Sequence, residues 1–160
     1  MKNLVRIIFL LAVITVLIGI SSCAEETSCS LDGRPMLRCY LYTLAPNTIT
    51  AKKDTLDSLT VTAFGTDSII INNQKKVHDI ALPLRYTKDS TIFVIHYSAT
   101  LTDTIIIGHS NTPKFISMDC GYQMQQSIIS KSYSKHKLDS IYISNKDANT
   151  DGTENLKLFY

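Results

Sequence analysis

The segment with the clearest potential for metal binding is Asp147-Ala148-Asn149-Thr150-Asp151-Gly152-Thr153-Glu154. Its oxygen-bearing side chains at alternate positions and its glycine match the first half of a calcium-binding loop, which makes Asp147, Asn149 and Asp151 weak candidates for calcium ligands. The match ends at Leu158, where a calcium loop has a bidentate glutamate. We therefore favour a hairpin loop in which the Asp-Gly pair forms the turn between two strands.

No catalytic motif accompanies this loop. The chain has no G-x-S-x-G, H-E-x-x-H or C-x-x-C motif and no glycine-rich phosphate loop. Its four histidines, His78, His96, His109 and His136, are not spaced as metal ligands, and His96, which alternates with Val94, is predicted to face the core. We expect neither an enzyme nor a cofactor, although a glycan-processing hydrolase that uses two dispersed carboxylates stays an open alternative.

Tyrosines offer a different chemistry, the binding of a sugar ring or a peptide by stacking. Tyr40 and Tyr42 lie on the same face of a predicted strand. Further tyrosines along the chain are Tyr97, Tyr122, Tyr133, Tyr142 and Tyr160. Tyrosines also fill the margins of sandwich cores with the hydroxyl group reaching water, and we favour that interpretation over a binding platform.

The N-terminus has the layout of an export signal. Lys2 and Arg6 precede an apolar run from Ile7 to Ile20, and small polar residues follow it. The run is too short for a typical membrane-spanning helix, which needs about 20 apolar residues. We predict that residues 1–22 are a cleaved signal peptide rather than a retained transmembrane anchor.

The cleavage region Ile20-Ser21-Ser22-Cys23 resembles the lipobox of bacterial lipoproteins. That resemblance implies that Cys23 becomes the acylated N-terminus of the mature protein, which would be tethered to a membrane without spanning it. Ala24-Glu25-Glu26 resembles the signal that sends Bacteroidetes lipoproteins to the outer face of the outer membrane. The alternatives are an ordinary signal peptide with a coincidental cysteine and a solvated acidic tether.

The charge balance argues against nucleic acid as a partner. Removal of residues 1–22 takes away Lys2 and Arg6 and no acidic residue, so 14 basic residues face 14 acidic residues in the mature chain. A net charge near zero lacks the basic footprint that binds a phosphate backbone. The 138 remaining residues suffice for one domain with its own core.

Short β-favouring runs separated by turn residues predict an all-β fold, which we interpret as a single immunoglobulin-like or related antiparallel β-sandwich. The predicted strands lie near residues 36–43, 57–65, 67–72, 77–82, 91–97, 103–108, 114–119, 138–144 and 155–160. Residues 121–133 are ambiguous, because Met124, Ile128 and Ile129 would share one side of a helix. We interpret that segment as a short helix or a crossing loop.

An aspartate followed by a hydroxyl residue opens several of these strands. The pattern occurs at Asp57-Ser58, Asp67-Ser68, Asp89-Ser90, Asp103-Thr104 and Asp139-Ser140. Such side chains bond to nearby backbone groups and stabilise the turn that enters each strand, while their charge discourages the pairing of sheet edges. A cation site shared by these aspartates is the less favoured alternative.

Several short motifs carry a family resemblance. They are Cys29 ahead of Pro35-Met36-Leu37, the signature Cys120-Gly121-Tyr122, Leu138-Asp139-Ser140-Ile141 and Glu154-Asn155-Leu156-Lys157-Leu158. With these motifs the chain resembles a family of uncharacterised Bacteroidetes lipoproteins that share a domain of unknown function. The resemblance brings no activity, substrate or catalytic residue, but it implies a disulfide between Cys29 and Cys120, with Cys39 left as a buried free thiol.

These features predict a lipoprotein signal peptide at residues 1–22, a lipidated N-terminus and tether at 23–34, and a β-sandwich domain at 35–160. We expect an outer-membrane-anchored protein that acts as a non-enzymatic binding or assembly module, with an envelope protein or a glycan as its partner. The alternatives from other classes are the glycan-processing hydrolase and a calcium-stabilised structural lipoprotein.

Overall fold

The computed structural model describes residue 6 and residues 33–44, 50–118 and 120–160. The chain divides into two compact units, Met1–Leu31 and Asp32–Tyr160, and the strands all belong to the second. Apart from Arg6, the predicted signal peptide lies outside the described residues, as do Cys23 and Cys29. Among the residues that are described, no helix is both long enough and apolar enough to cross a membrane.

The described residues of the second unit form ten strands and no helix. In chain order the strands are β1 (Leu37–Leu44), β2 (Ala51–Lys53), β3 (Leu56–Ala63), β4 (Ile69–Val77), β5 (Asp79–Leu82), β6 (Ser90–His96), β7 (Thr102–Ser117), β8 (Gly121–Tyr133), β9 (Ser140–Ile143) and β10 (Leu156–Phe159).

The strands form two five-stranded sheets that pack together, which confirms the predicted all-β sandwich. The first sheet has the order β2-β1-β10-β9, with β5 also paired to β1, and the second has the order β4-β3-β6-β7-β8. The ladders between these strands are antiparallel except that of β1 and β10, which is parallel. The first and last strands can pair in parallel because the rest of the domain forms the long crossover between them.

Strand alternation decides which side chains form the core. Leu37, Cys39 and Leu41 of β1 are fully buried, and so are Phe93 and Ile95 of β6 in the second sheet. These side chains belong to one hydrophobic cluster that draws on both sheets. Full burial of a large apolar side chain stabilises the fold by about 1.5–3 kcal/mol, so the inner faces of the sheets hold the sandwich together.

Residues 121–133 correct the sequence prediction, because they form strand β8 rather than a short helix or a loop. Its partner β7 is one strand of 16 residues, whereas the sequence predicted two strands at 103–108 and 114–119. Ile128 is buried and Ile129 is 70% exposed, so these neighbours lie on opposite faces as they do in a strand. Pairing with β7 outweighs the weak helical spacing of the apolar residues.

Candidate functional site

An aromatic surface lies on the outer side of the first sheet. Because Leu37, Cys39 and Leu41 point into the core, alternation along β1 turns Tyr40 and Tyr42 outward. Both tyrosines keep part of their surface in contact with solvent. The predicted placement of the two rings on one face of the first strand is therefore confirmed.

Strands β9 and β10 extend this surface. Leu156 and Leu158 are buried, so Lys157 and Phe159 lie on the outer side of β10. The strand register places Lys157 between Tyr40 and Tyr142, and it places Phe159 beside Tyr42. We call the set Tyr40, Tyr42, Tyr142, Phe159, Lys53 and Lys157 the aromatic face.

Ring and cation contacts order the aromatic face. The ring centroids of Tyr42 and Phe159 are 5.7 Å apart. The Lys53 Nζ atom lies 5.2 Å from the centre of the Tyr40 ring, and the Lys157 Nζ atom lies 5.2 Å from the centre of the Tyr42 ring. Such cation–π contacts contribute about 0.5–1 kcal/mol each at exposed positions, so they favour this arrangement of rings and lysines.

Glu154 fixes the hydroxyl group of Tyr42. The Tyr42 hydroxyl donates a hydrogen bond of 2.6 Å to Glu154 Oε2, and the Ser144 hydroxyl donates one of 2.8 Å to Glu154 Oε1. The hydrogen bond to Glu154, together with partial burial, raises the pKa of Tyr42 to about 12. The phenol therefore stays protonated at neutral pH and keeps donating to Glu154.

The aromatic face is suited to binding. Tyr142 is 59% exposed. The same surface carries the Tyr42 ring, the ammonium group of Lys157 and the carboxylate of Glu154. Tyrosine provides a large, rigid contact area at a low cost in conformational entropy, which is why it is common in binding surfaces. A sugar ring or a peptide side chain can stack on such rings while its polar groups bond to the charged side chains.

The loop with the candidate calcium ligands joins the antiparallel strands β9 and β10, as the hairpin interpretation requires. Asp151 Oδ1 accepts a hydrogen bond of 2.8 Å from the Thr153 N–H, and Gly152 has a φ of 80°, which favours glycine. Asn149 Nδ2 donates to the carbonyl groups of Asp147 and Thr153. Within the described ranges, no three His, Cys, Asp or Glu side chains are grouped to hold a metal ion. Calcium binding by Asp147, Asn149 and Asp151 stays a prediction.

Asn155 anchors this loop to the first strand, a role that the sequence prediction missed. The side chain is fully buried, and its Oδ1 atom accepts a hydrogen bond of 2.9 Å from the Arg38 N–H. Its Nδ2 group donates to the carbonyl groups of Asn145 at 3.2 Å and Asp147 at 2.6 Å. One amide thus positions both the loop and the start of β10 against β1.

Asp103 is the buried member of the aspartate and hydroxyl pattern. Its carboxylate accepts hydrogen bonds from the Ser134 hydroxyl at 2.6 Å and from three backbone N–H groups between 2.8 and 2.9 Å, which belong to His136, Lys137 and Leu138. Burial alone would raise the pKa of Asp103, but these hydrogen bonds outweigh it and hold the pKa below the ordinary value of 3.8. The other four aspartates of the pattern are exposed, so only Asp103 holds a loop together in this way.

His78 and His136 are exposed, whereas His96 and His109 differ from the sequence prediction or were not singled out by it. His96 lies on the outward side of β6 with its Nε2 atom 3.0 Å from Thr62 Oγ1, so its predicted core position is wrong. The buried histidine is His109, whose Nε2 atom lies 2.8 Å from Thr91 Oγ1. Burial lowers the pKa of His109 despite nearby hydrogen bonds and the charge of Asp89. The β-bulge after Gly108 shifts the register of β7 at this histidine.

A separate cavity of about 440 Å³ bears on the hydrolase alternative, because Asp54 and Asp57 both line it together with Tyr97, Lys137 and Tyr160. Asp54 Oδ1 accepts a hydrogen bond of 2.8 Å from the Thr55 N–H, and Asp57 is exposed. A carboxylic acid that donates a proton to a glycosidic bond usually sits against apolar groups that keep it protonated. The hydrolase stays an alternative prediction.

Cys39 is a free, buried cysteine, as the family resemblance implied. Its side chain is fully buried, and burial, followed by the charge of Glu154, raises the pKa of the thiol above its ordinary value of 9.0. The reactive species of a cysteine is the thiolate, so this thiol is expected to be inert. The predicted partner of Cys120, Cys29, lies outside the described residues, and that disulfide stays a prediction.

We expect iodoacetamide at pH 8 to leave Cys39 unmodified in the folded protein and to modify it fully in denaturant, because the thiol is both inaccessible and protonated. Peptide mapping without reduction, followed by mass spectrometry, measures this modification and also reports the predicted Cys29–Cys120 link. Rapid labelling of Cys39 in the folded chain, or a peptide that links Cys39 to either partner, would contradict the assignment.

Comparison with known proteins identifies a family for most of the chain. Residues 58–160 match the family described as Family of unknown function (DUF6452), whereas searches of the curated proteins and of the solved structures gave no match. The matched region contains most of the sandwich, including Asn155, Asp103 and half of the aromatic face, and it starts after Cys23, Cys29 and Cys39. The match confirms the predicted domain of unknown function, while Bacteroidetes origin and lipidation stay predictions. Since the match covers more than half of the chain, the chain belongs to this family of unknown function.

Proposed function

We propose that the protein is a non-enzymatic binding or assembly module of the bacterial cell envelope, tethered to the outer membrane by lipid on Cys23. The aromatic face is its binding surface, and an envelope glycan or protein is its partner. The observation that carries the proposal is the ordered set of outward tyrosines and Phe159 on an open sheet surface. The lipobox resemblance at residues 20–23 supports the tether.

The construction of the aromatic face favours binding over structural support. Rings that only stabilise a fold pack against its core, as Tyr97 and Tyr160 do with a centroid distance of 5.7 Å. By contrast, Tyr142 leaves most of its surface in solvent while the neighbouring β10 holds Lys157 and Phe159 at its side. Such exposed aromatic groups on a rigid scaffold are a frequent feature of binding sites.

The shape of the surface limits what the partner can be. The rings lie on a sheet face rather than in an enclosed pocket, so they suit an extended ligand such as a glycan chain or a protein segment. The two lysines and Glu154 provide donors and an acceptor at the edge of the rings. The rings can stack on such a ligand while these three charged groups bond to its polar groups.

The test is capture of partners by the lipidated protein from its native envelope, with cross-linking, and a parallel screen of envelope glycans. We expect the double variant Tyr40→Ala/Tyr142→Ala to lose at least about 30-fold in affinity, because it removes one partly exposed and one exposed aromatic anchor. Tyr86→Ala is the matched control, since Tyr86 is an exposed tyrosine outside the aromatic face.

Three outcomes would overturn the proposal. Binding that survives loss of both aromatic rings would contradict the assignment of the aromatic face as the binding surface. Failure of the wild-type protein to capture any envelope protein or glycan would contradict the binding function. Mature protein that begins at Cys23 but carries no acyl chain by mass spectrometry would contradict the lipid tether.

A further inference from the structure

The far end of the β7–β8 hairpin exposes a group of apolar side chains. Phe115, Ile116, Met118 and Tyr122, which we call the arm tip, are 49%, 43%, 90% and 72% exposed. The Phe115 and Tyr122 rings stand opposite each other across the hairpin with their centroids 5.4 Å apart. A soluble protein rarely leaves several large apolar side chains together in water unless they meet a partner.

The arm tip also lies beside Gly33, the first described residue of the second unit. Gln123 Nε2 donates a hydrogen bond of 3.2 Å to the carbonyl of Gly33, and Met36 pairs with Asn149 a few residues later. Gly33 is thus held next to the residue that follows Tyr122. Cys23 precedes Gly33 by ten residues, and ten residues of extended chain span at most about 36 Å. A connection of this length allows an acyl anchor on Cys23 and the arm tip to reach the same bilayer.

We propose that the arm tip inserts into the membrane interface beside the lipid anchor, with phospholipid as its partner. This inference rests on the proposed lipid tether at Cys23. Tyrosine is enriched at the boundary between headgroups and acyl chains, and phenylalanine is common in segments that bind there. Met118 and Ile116 supply purely apolar surface. The β7–β8 ladder pairs the backbone groups that point between the two strands, and a shallow insertion at the headgroup boundary leaves the outward groups of both strands in contact with water.

A neighbouring charge fits the same orientation. Lys114 is exposed on the hairpin next to Phe115, and its long side chain can reach lipid phosphates while the rings lie deeper. The anchor and the arm tip would then attach the domain at two points and fix its orientation to the membrane. The aromatic face, which belongs to the other sheet, stays available for the proposed binding function.

The absence of tryptophan from the chain gives a clean experiment. The mature lipidated protein is prepared as the Tyr122→Trp variant and as the Tyr142→Trp control, and each is reconstituted into phosphatidylcholine vesicles. Tryptophan at 122 is expected to emit at shorter wavelength than tryptophan at 142, and lipids brominated on the acyl chains are expected to quench it at least three-fold more strongly. Adding Phe115→Ser and Met118→Ser to the Tyr122→Trp variant is expected to abolish that difference.

The outcomes separate this inference from the proposed function. Protein that floats with the vesicles and carries lipid on Cys23, yet shows equal quenching at 122 and 142, would overturn arm insertion and leave the tether intact. Blue-shifted emission at 122 without bromine quenching would overturn it in favour of contact with a second copy or another protein. Protein that carries no lipid and does not float would overturn the tether and, with it, this inference.

Discussion

Replacement of Asp103 by asparagine is expected to lower the free energy of unfolding by about 3 kcal/mol and the melting temperature by about 10 °C. The carboxylate accepts four hydrogen bonds, three of them from consecutive backbone N–H groups, and its side chain has no exposure to solvent. An asparagine amide presents N–H groups to some of these donors, so several buried groups lose their acceptor. Urea denaturation of the variant against the wild-type chain measures the effect.

Asp139→Asn is the matched control for this prediction, because Asp139 belongs to the same sequence pattern but is exposed. We expect it to change stability by less than about 0.5 kcal/mol. The two variants also differ in pH dependence. The folded-state pKa of Asp103 is lower than its unfolded value, so its stabilisation is complete above pH 3.8 and is lost as the pH falls through the folded-state pKa. Equal losses in the two variants, or an acid transition that Asp103→Asn leaves unchanged, would contradict the assigned role.

The fold class could be predicted because its signals are local. The strands predicted near 36–43, 57–65, 91–97 and 155–160 overlap β1, β3, β6 and β10, and in β1 and β10 the buried residues alternate as expected of a strand. The three-residue β2 and the β7–β8 hairpin could not be predicted in this way. Every described residue of the hairpin from 111 to 125 is at least partly exposed, so no hydrophobic alternation marks it. Its strand conformation comes from cross-strand pairing, which a single sequence does not reveal.

The candidate site was predictable only in part for a similar reason. Tyr40 and Tyr42 share a face because they are two positions apart on one strand. Phe159 and Tyr142 join them through the parallel pairing of β1 with β10 and the register of β9, which depend on the whole topology. The alternation of Leu156 and Leu158 could have placed Phe159 on the outer side of β10. The sequence contains no signal that identifies β1 as the neighbour of β10.

Asn155 is a residue whose importance becomes visible only in the fold. Asn155→Ala is expected to lower the free energy of unfolding by about 3 kcal/mol, because it leaves the Arg38 N–H and two carbonyl groups of the loop without their partner and opens a small cavity. Hydrogen exchange should show which part of the protein is destabilised. Amides at Ile128 and Ala148, which bond across the loop and β8, are expected to exchange faster.

Two further variants make this prediction specific. Asn155→Asp keeps an oxygen for the Arg38 N–H but cannot donate to Asn145 and Asp147, so it should also destabilise the protein and accelerate exchange in the loop. Asn72→Ala removes the same amide from an exposed position on β4 and should leave both stability and exchange nearly unchanged. Because Asn155 sets where β10 begins, its loss is expected to disturb Lys157 and Phe159 on the aromatic face as well. An Asn155→Ala variant as stable as Asn72→Ala would show that the loop needs no such anchor and that the register of β1 and β10 is fixed by core packing alone.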